Sequence, residues 1–175
     1  EGNYTLYGVP SVGSTKGKDL TFVGKGPDKT AWNIGAKVPD PAHYGTEYNG
    51  DYSFDGAGKI TFKNMTLRSG DANYTVVEDC VINGKTFYWG YKSAVFTDTT
   101  FNAPSGDYAI WTYSSPTMTF DNCTFNASGK VINVYTDYGA GKQDITVYFN
   151  NCTVNSSTGF LDKQALNIND SNMGS

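Results

Sequence analysis

Three cysteines, Cys80, Cys123 and Cys152, are the side chains of this sequence best suited to metal binding or redox chemistry. A zinc or redox site usually contains a pair of cysteines only a few residues apart, and these three stand far from one another. The single histidine, His43, could add at most one imidazole donor. An odd number of cysteines also leaves one thiol outside any set of internal disulfides. We therefore expect no metal site and no cofactor.

Aromatic side chains offer a second chemistry, because flat rings can stack on sugars or anchor a protein partner. Four segments share an aromatic or apolar pattern: FYWGY (87–91), AIWTY (109–113), INVYT (132–136) and LNIND (166–170). In this alignment Trp89 and Trp111 occupy the same position as Val134 and would lie on the same face of their strands. We therefore expect both tryptophans inside the protein. The tyrosines would then form either an ordinary β surface or a ligand-binding face. The candidates for this tyrosine face are Tyr88, Tyr91, Tyr113, Tyr135 and Tyr138.

The charge pattern excludes some partners. Charged residues make up 17% of the chain, the net charge is −4, and Arg68 is the only arginine. Nucleic-acid binding needs clustered cations that neutralise phosphates, so we expect no nucleic-acid partner. No run of 18 apolar residues occurs, so we expect no membrane insertion. The chain begins at Glu1 without a leader, and we expect it to be one part of a longer multidomain protein.

A repeat provides the framework for these residues. Five segments share one spelling: ITFKNMTL (60–67), TVVEDCVIN (75–83), AVFTDTTFN (94–102), MTFDNCTFN (118–126) and VYFNNCTVN (147–155). The sequence pattern is constant while the number of residues between copies varies, which is typical of a solenoid with constant rungs and variable loops. The sequence therefore predicts an all-β solenoid.

One Asn or Asp in each copy predicts a corner. Apolar residues alternate along a strand, but in MTFDNCTFN the alternation breaks once, between Phe120 and Cys123. A residue with positive φ would turn the chain there, and Asn and Asp adopt that conformation most readily after glycine. The predicted corner residues are Asn64, Asp79, Asp98, Asn122 and Asn151.

Two strands around each corner and a third after a loop predict a parallel β-helix with three short strands per rung. Equivalent residues would stack in interior columns. The predicted columns are Phe62/Val77/Phe96/Phe120/Phe149, Met65/Cys80/Thr99/Cys123/Cys152 and Leu67/Ile82/Phe101/Phe125/Val154. We expect one domain over 1–175, with irregular rungs and a loop over 1–57 and regular rungs over 58–170. Within the irregular part, we expect strands near Tyr4 and Leu20 and a long loop over 37–55.

These repeats resemble the right-handed parallel β-helix domains of the pectate-lyase-like superfamily, and the resemblance covers roughly residues 58–170. The block VINGKTFYWGYKSAVFTDTTFNAPSGDYAIWTYSSPTMTFDNCTFNASGKVINVY (81–135) is more narrowly similar to adhesin-like cell-surface proteins of gut bacteria. The resemblance implies a right-handed, single-stranded β-helix at the bacterial cell surface or outside the cell. It also implies binding to a glycan or to a host surface protein.

The same superfamily contains enzymes, so catalysis is an alternative. Its pectin hydrolases carry Asn-Thr-Asp, Asp-Asp, Gly-His-Gly and Arg-x-Lys motifs, none of which occurs here. Its lyases use a Lys or Arg base, for which Arg68, with Lys63, Lys85 or Lys92 as a possible neighbour, would be the candidate. We expect a non-catalytic protein with no catalytic residues. The alternatives are a polysaccharide lyase or hydrolase acting on a polyanionic glycan, and a structural spacer in a surface stalk.

Overall fold

The computed structural model describes residues 2–5, 17–33, 37–38, 48–49, 58–72, 76–88, 93–102, 110–113, 117–127, 131–135, 146–156 and 166–168. Within these ranges the chain forms eighteen β-strands and no helix. None of the described segments is a helix with the length and apolar character needed to cross a membrane. The all-β prediction is confirmed.

Two parallel sheets contain all but two of these strands. The ten-stranded sheet contains β1 (Gly2–Thr5), β3 (Thr30–Asn33), β7 (Thr66–Ala72), β9 (Val81–Tyr88), β11 (Thr100–Asn102), β12 (Ile110–Tyr113), β14 (Thr124–Ala127), β15 (Ile132–Tyr135), β17 (Thr153–Ser156) and β18 (Leu166–Ile168). The six-stranded sheet contains β2 (Leu20–Val23), β6 (Ile60–Lys63), β8 (Val76–Glu78), β10 (Ala94–Thr97), β13 (Thr117–Asp121) and β16 (Thr146–Asn150).

The chain alternates between the two sheets. Each repeat contributes one strand to the six-stranded sheet and, after a corner, the next strand to the ten-stranded sheet. Each strand pairs in parallel with its equivalent in the following repeat, so that β10 pairs with β13 and β11 pairs with β14. The long strands β7 and β9 extend the ten-stranded sheet to a branch formed by β12, β15 and β18. This arrangement is consistent with a β-solenoid.

Stacked aromatic rings fill the space between the two sheets. The observed register places Phe96 beside Phe120, and Phe120 beside Phe149, as the sequence predicts. Their rings stack with centroids 5.1 and 5.2 Å apart. In the column from the other sheet, Phe101 and Phe125 stack at 4.8 Å. Phe96, Phe120 and Phe125 are fully buried, so this column packing forms the hydrophobic core.

Each corner between the sheets contains one residue with positive φ. The φ angles are 56° at Asn64, 52° at Asp79, 49° at Asp98, 53° at Asn122 and 52° at Asn151. These are the five positions at which the sequence predicts this conformation. The inter-strand hydrogen bonds continue around the corner, because the Asn122 N–H donates to the Asn150 carbonyl (2.8 Å) and the Thr153 N–H donates to the Cys123 carbonyl (2.9 Å).

The first described corner, between β2 and β3, is wider than the others. It begins at Gly24, which is buried so closely that a Cβ there would overlap the Asn64 backbone carbonyl oxygen and lie 2.8 Å from the Met65 Cβ. Its backbone also approaches the ten-stranded sheet, since the Thr66 hydroxyl donates to the Pro27 carbonyl (2.7 Å). This wide corner therefore covers the start of β7.

The irregular N-terminal part differs from the expectation in one respect. The segment 37–55, predicted as a loop, contains a short antiparallel pair formed by β4 (Lys37–Val38) and β5 (Tyr48–Asn49). The strands predicted near Tyr4 and Leu20 are present as β1 and β2. Antiparallel pairing needs only a short connection, so it can form inside an excursion too irregular for another rung.

The buried ring of Phe120 should contribute more to stability than an exposed ring on the same sheet. We expect Phe120→Ala to lower the free energy of unfolding by about 3–5 kcal/mol, because it removes a fully buried aromatic side chain and leaves a cavity. Tyr148→Ala is the matched control, since Tyr148 is 52% exposed. Chemical denaturation would measure both, and an equal loss for the two variants would contradict the column packing.

The positive φ at Asn122 should make this position sensitive to the presence of a Cβ. We expect Asn122→Ala to lower the free energy of unfolding by about 1–2 kcal/mol, because the left-handed conformation is costly for residues other than Gly, Asn and Asp. Asn122→Gly should lose less, since glycine adopts positive φ without a steric penalty. Thermal and urea denaturation of the two variants would test this order, and an alanine variant more stable than the glycine variant would contradict it.

Candidate functional site

The structure brings together two of the five tyrosines predicted to form a binding face. Tyr113 of β12 and Tyr135 of β15 are register partners on adjacent parallel strands. Tyr88 of β9 pairs instead with Thr112, so it is one residue out of line with this pair. Tyr91 and Tyr138 lie outside the described residues. A shift of one residue places Tyr88 on the opposite face of the sheet from Tyr113 and Tyr135. The described part of the tyrosine face is therefore the Tyr113–Tyr135 pair alone.

The register of these strands also corrects the predicted phase of a tryptophan. Trp111 pairs with Phe87 and Asn133, and not with Val134 as the aligned segments suggested. The short segments align equally well by letter in two registers, but the hydrogen-bonded pairing places Ile110 opposite the buried Ile132. A shift of one residue moves a side chain to the other phase of a strand, so the expectation that Trp111 shares the phase of Val134 is wrong. Trp89 lies outside the described residues.

A row of asparagines on the ten-stranded sheet was not predicted as a site. Asn83, Asn102, Asn126 and Asn155 follow one another in register on β9, β11, β14 and β17. Each Nδ2 donates to the Oδ1 of the preceding asparagine, at 2.9 Å from Asn102 to Asn83 and at 2.8 Å in the next two steps. We call these four residues the amide ladder. All its hydrogen bonds point in the same direction along the stack.

A second polar row runs beside the amide ladder. Thr100, Thr124 and Thr153 precede the last three ladder residues by two positions, and Val81 takes the same place before Asn83. Between the rows, Ile82, Phe101 and Phe125 are buried, while the residues of both rows are exposed or half-buried. The two rows together form an outward surface that we call the Thr-x-Asn face. The last three letters of the repeats, VIN, TFN, TFN and TVN, carry the signal that could have identified it.

The wide corner forms a pocket at one end of this face. The pocket has a volume of about 320 Å³ and is lined by Pro27, Asp28, Lys29, Thr66 and Asn83, among others. It is mainly polar, because backbone groups, hydroxyls, one carboxylate and one ammonium group line it. The Thr-x-Asn face therefore ends at a concave polar site next to the first residue of the amide ladder.

Charged and amide side chains next to the corners pair along the stack. Lys63 Nζ lies 2.6 Å from Glu78 Oε2, and Asn150 Nδ2 donates to Asp121 Oδ1 at 2.5 Å. Asn122 Nδ2 donates to Asp98 Oδ1 in the same manner. For Arg68 the structure describes only the backbone, which pairs with Asn83 and Asn33.

The cysteines lie inside the corners. Cys80 and Cys123 are buried and Cys152 is half-buried, and all three are free thiols. The Cys123 thiol donates to the Phe96 carbonyl of the preceding repeat or to the Asp121 carbonyl, each at 3.4 Å. Thr99 replaces cysteine in one repeat and donates its hydroxyl to the Thr97 carbonyl at 2.9 Å. Four of the five residues in this column therefore have a small side chain that donates a hydrogen bond, and Met65 is the exception.

Burial suppresses the reactivity of two thiols. Desolvation raises the pKa of Cys80 to about 11 and that of Cys123 to about 12, because the thiolate would lose its hydration. The thiolate is the reactive form, so both thiols are inert at neutral pH. Cys152 was expected to be buried like Cys123. It is more exposed because β16 and β17 are the last strands on their paths through the described sheets.

Among the described residues, no three His, Cys, Asp or Glu side chains come close enough to hold a metal ion. His43 lies outside the described residues.

Thiol labelling should follow this order of burial. With a disulfide reagent at pH 8, we expect Cys152 to react first, while Cys80 and Cys123 react only as fast as the protein opens. Cys152→Ser should remove the first phase and leave the slow one. The reaction should accelerate on addition of urea above the unfolding midpoint. Rapid labelling of Cys123 in native buffer would contradict its position inside the corner.

No protein-family model, no curated protein and no solved structure matches this chain.

Proposed function

We propose that this chain is a right-handed, single-stranded parallel β-helix with three short strands per turn, similar to the pectate-lyase-like superfamily. The alternation of repeats between two parallel sheets supports this proposal. So does the positive φ at five equivalent corners. The β12–β15–β18 branch supplies the third strand of three turns, and in β7 and β9 the second and third strands are continuous.

The function best supported by these features is non-catalytic, adhesin-like binding of a glycan or a host surface protein through the tyrosine face. The observation that best supports this function is the Tyr113–Tyr135 pair on adjacent strands. Neighbouring strands lie about 4.8 Å apart, so the pair would repeat an aromatic group at that interval. Aromatic groups arranged in this way suit stacking on sugar rings or anchoring of a partner protein. Location outside the cell or at the bacterial surface, within a longer multidomain protein, belongs to the same proposal.

A binding screen on glycan and host-protein arrays would test the tyrosine face. We expect the protein to bind a specific ligand, and we expect Tyr113→Ala and Tyr135→Ala to weaken that binding at least about tenfold each, as for central aromatic contacts. Tyr148→Ala is the matched control, because Tyr148 is an exposed tyrosine on the six-stranded sheet and should leave binding unchanged.

Two outcomes would favour the alternatives. A spacer in a surface stalk should bind nothing specifically on either array. A lyase should convert polygalacturonate or another polyanionic glycan into products that absorb ultraviolet light through a new double bond. Either result would overturn the adhesin-like proposal.

A further inference from the structure

The Thr-x-Asn face has the geometry of a repeating surface. Its two rows cross four parallel strands in register, β9, β11, β14 and β17. Adjacent strands lie about 4.8 Å apart, so the four strands span about 14 Å, and residues two apart in one strand are separated by about 6.6–6.8 Å. The face therefore presents a row of threonines, with Val81 at one end, beside a row of asparagines at a constant interval.

Hydrogen bonding within the face fixes its asparagine side chains before any ligand arrives. Each ladder step of 2.8–2.9 Å holds one asparagine amide in a single orientation. A side-chain amide has two N–H donors and two lone pairs, so Asn102 and Asn126, which use one donor and one lone pair in the ladder, still offer one of each to a ligand. Ligand binding to fixed side chains loses less conformational entropy than binding to mobile ones.

The chemistry of the two rows selects one class of ligand. From Val81 to Asn155 they contain only Thr, Asn and one Val, so they offer no cations for a polyanion. They also lack the large apolar side chains that anchor protein partners. Three exposed large hydrophobic residues, Val23, Val95 and Tyr148, belong instead to the six-stranded sheet. Groups that both donate and accept hydrogen bonds match the hydroxyls of a neutral sugar, which do the same.

We infer that the Thr-x-Asn face is a binding surface for a linear, neutral polysaccharide chain that lies along the stacking direction of the strands. The face offers one polar pair to each successive part of the chain, so many weak contacts add up along its length. The pocket beside Asn83, where the opposite charges of Asp28 and Lys29 offset each other, receives the end of the chain. This surface is separate from the Tyr113–Tyr135 pair, and the inference does not depend on the tyrosine face.

Titration calorimetry with linear gluco-, manno- and xylo-oligosaccharides, from disaccharide to octasaccharide, would test the inference. We expect at least one series to bind, with an affinity that rises with length until the chain spans about 14 Å and then stays constant. Oligogalacturonates of the same lengths should bind at least about tenfold more weakly, because the rows contain no cation. Binding that is independent of length, or stronger binding of the oligogalacturonates, would overturn the inference.

Two substitutions at one position separate a binding role from a structural one. Thr124→Val removes the hydroxyl and keeps the shape, and Val81 already occupies the same row, so the variant should fold. We expect it to weaken oligosaccharide binding about tenfold, while Thr124→Ser retains most of the affinity. Thr119→Val is the matched control, because Thr119 is a half-buried threonine of β13 on the six-stranded sheet.

The remaining outcomes are also decisive. If Thr124→Val and Thr119→Val bind equally well, or if no neutral oligosaccharide binds, the two rows are only structural and the inference fails. Thr100→Val provides a second variant in the same row if the first proves unstable in thermal denaturation. Tyr148→Ala should also leave this binding unchanged, because Tyr148 is exposed on the six-stranded sheet, outside both proposed faces.

Discussion

The left-handed backbone conformation at one residue per repeat is the constraint on which this fold depends. It turns the chain between two sheets within two residues, so that apolar side chains on both sides of the corner reach the same interior. Without the turn, Phe120 and Phe125 would fall on opposite phases of one strand, because they are separated by an odd number of positions. With it, their rings meet at 5.3 Å. The local conformation of Asn122 thus decides whether a core exists at this point.

Much of this architecture could be predicted from the sequence, because the pattern that determines it lies within each repeat of about nine residues. The break in alternation, the Asn or Asp at the break and the apolar residues around it all lie in one continuous segment, and backbone sterics restrict which residues can take positive φ. The interior columns can then be predicted, since segments with the same sequence pattern stack on one another. The positions of Phe96, Phe120 and Phe149 in one column needed no information from outside the repeats.

The parts that could not be predicted depend on information outside the repeats. The register of β12 against β15 is set by hydrogen bonding between strands that follow loops of different length, so the letters around Trp111 fit two alignments equally well. The repeated final asparagine predicts the row of the amide ladder, but the direction of its hydrogen bonds, such as that from Asn126 to Asn102, is known only from the structure. The exposure of Cys152 depends on which strands lie beyond β17, and no local pattern carries that information.

The uniform direction of the amide ladder gives this surface a polarity. At Asn83 the side-chain oxygen is engaged by the ladder and the nitrogen is not, whereas at Asn155 the reverse holds. Aligned amide dipoles reinforce one another, so the two ends of the row differ in electrostatic character although the row carries no net charge. In the proposed binding mode, the two directions of a chain laid along this surface are therefore not equivalent. A neutral row of four identical side chains can therefore encode orientation.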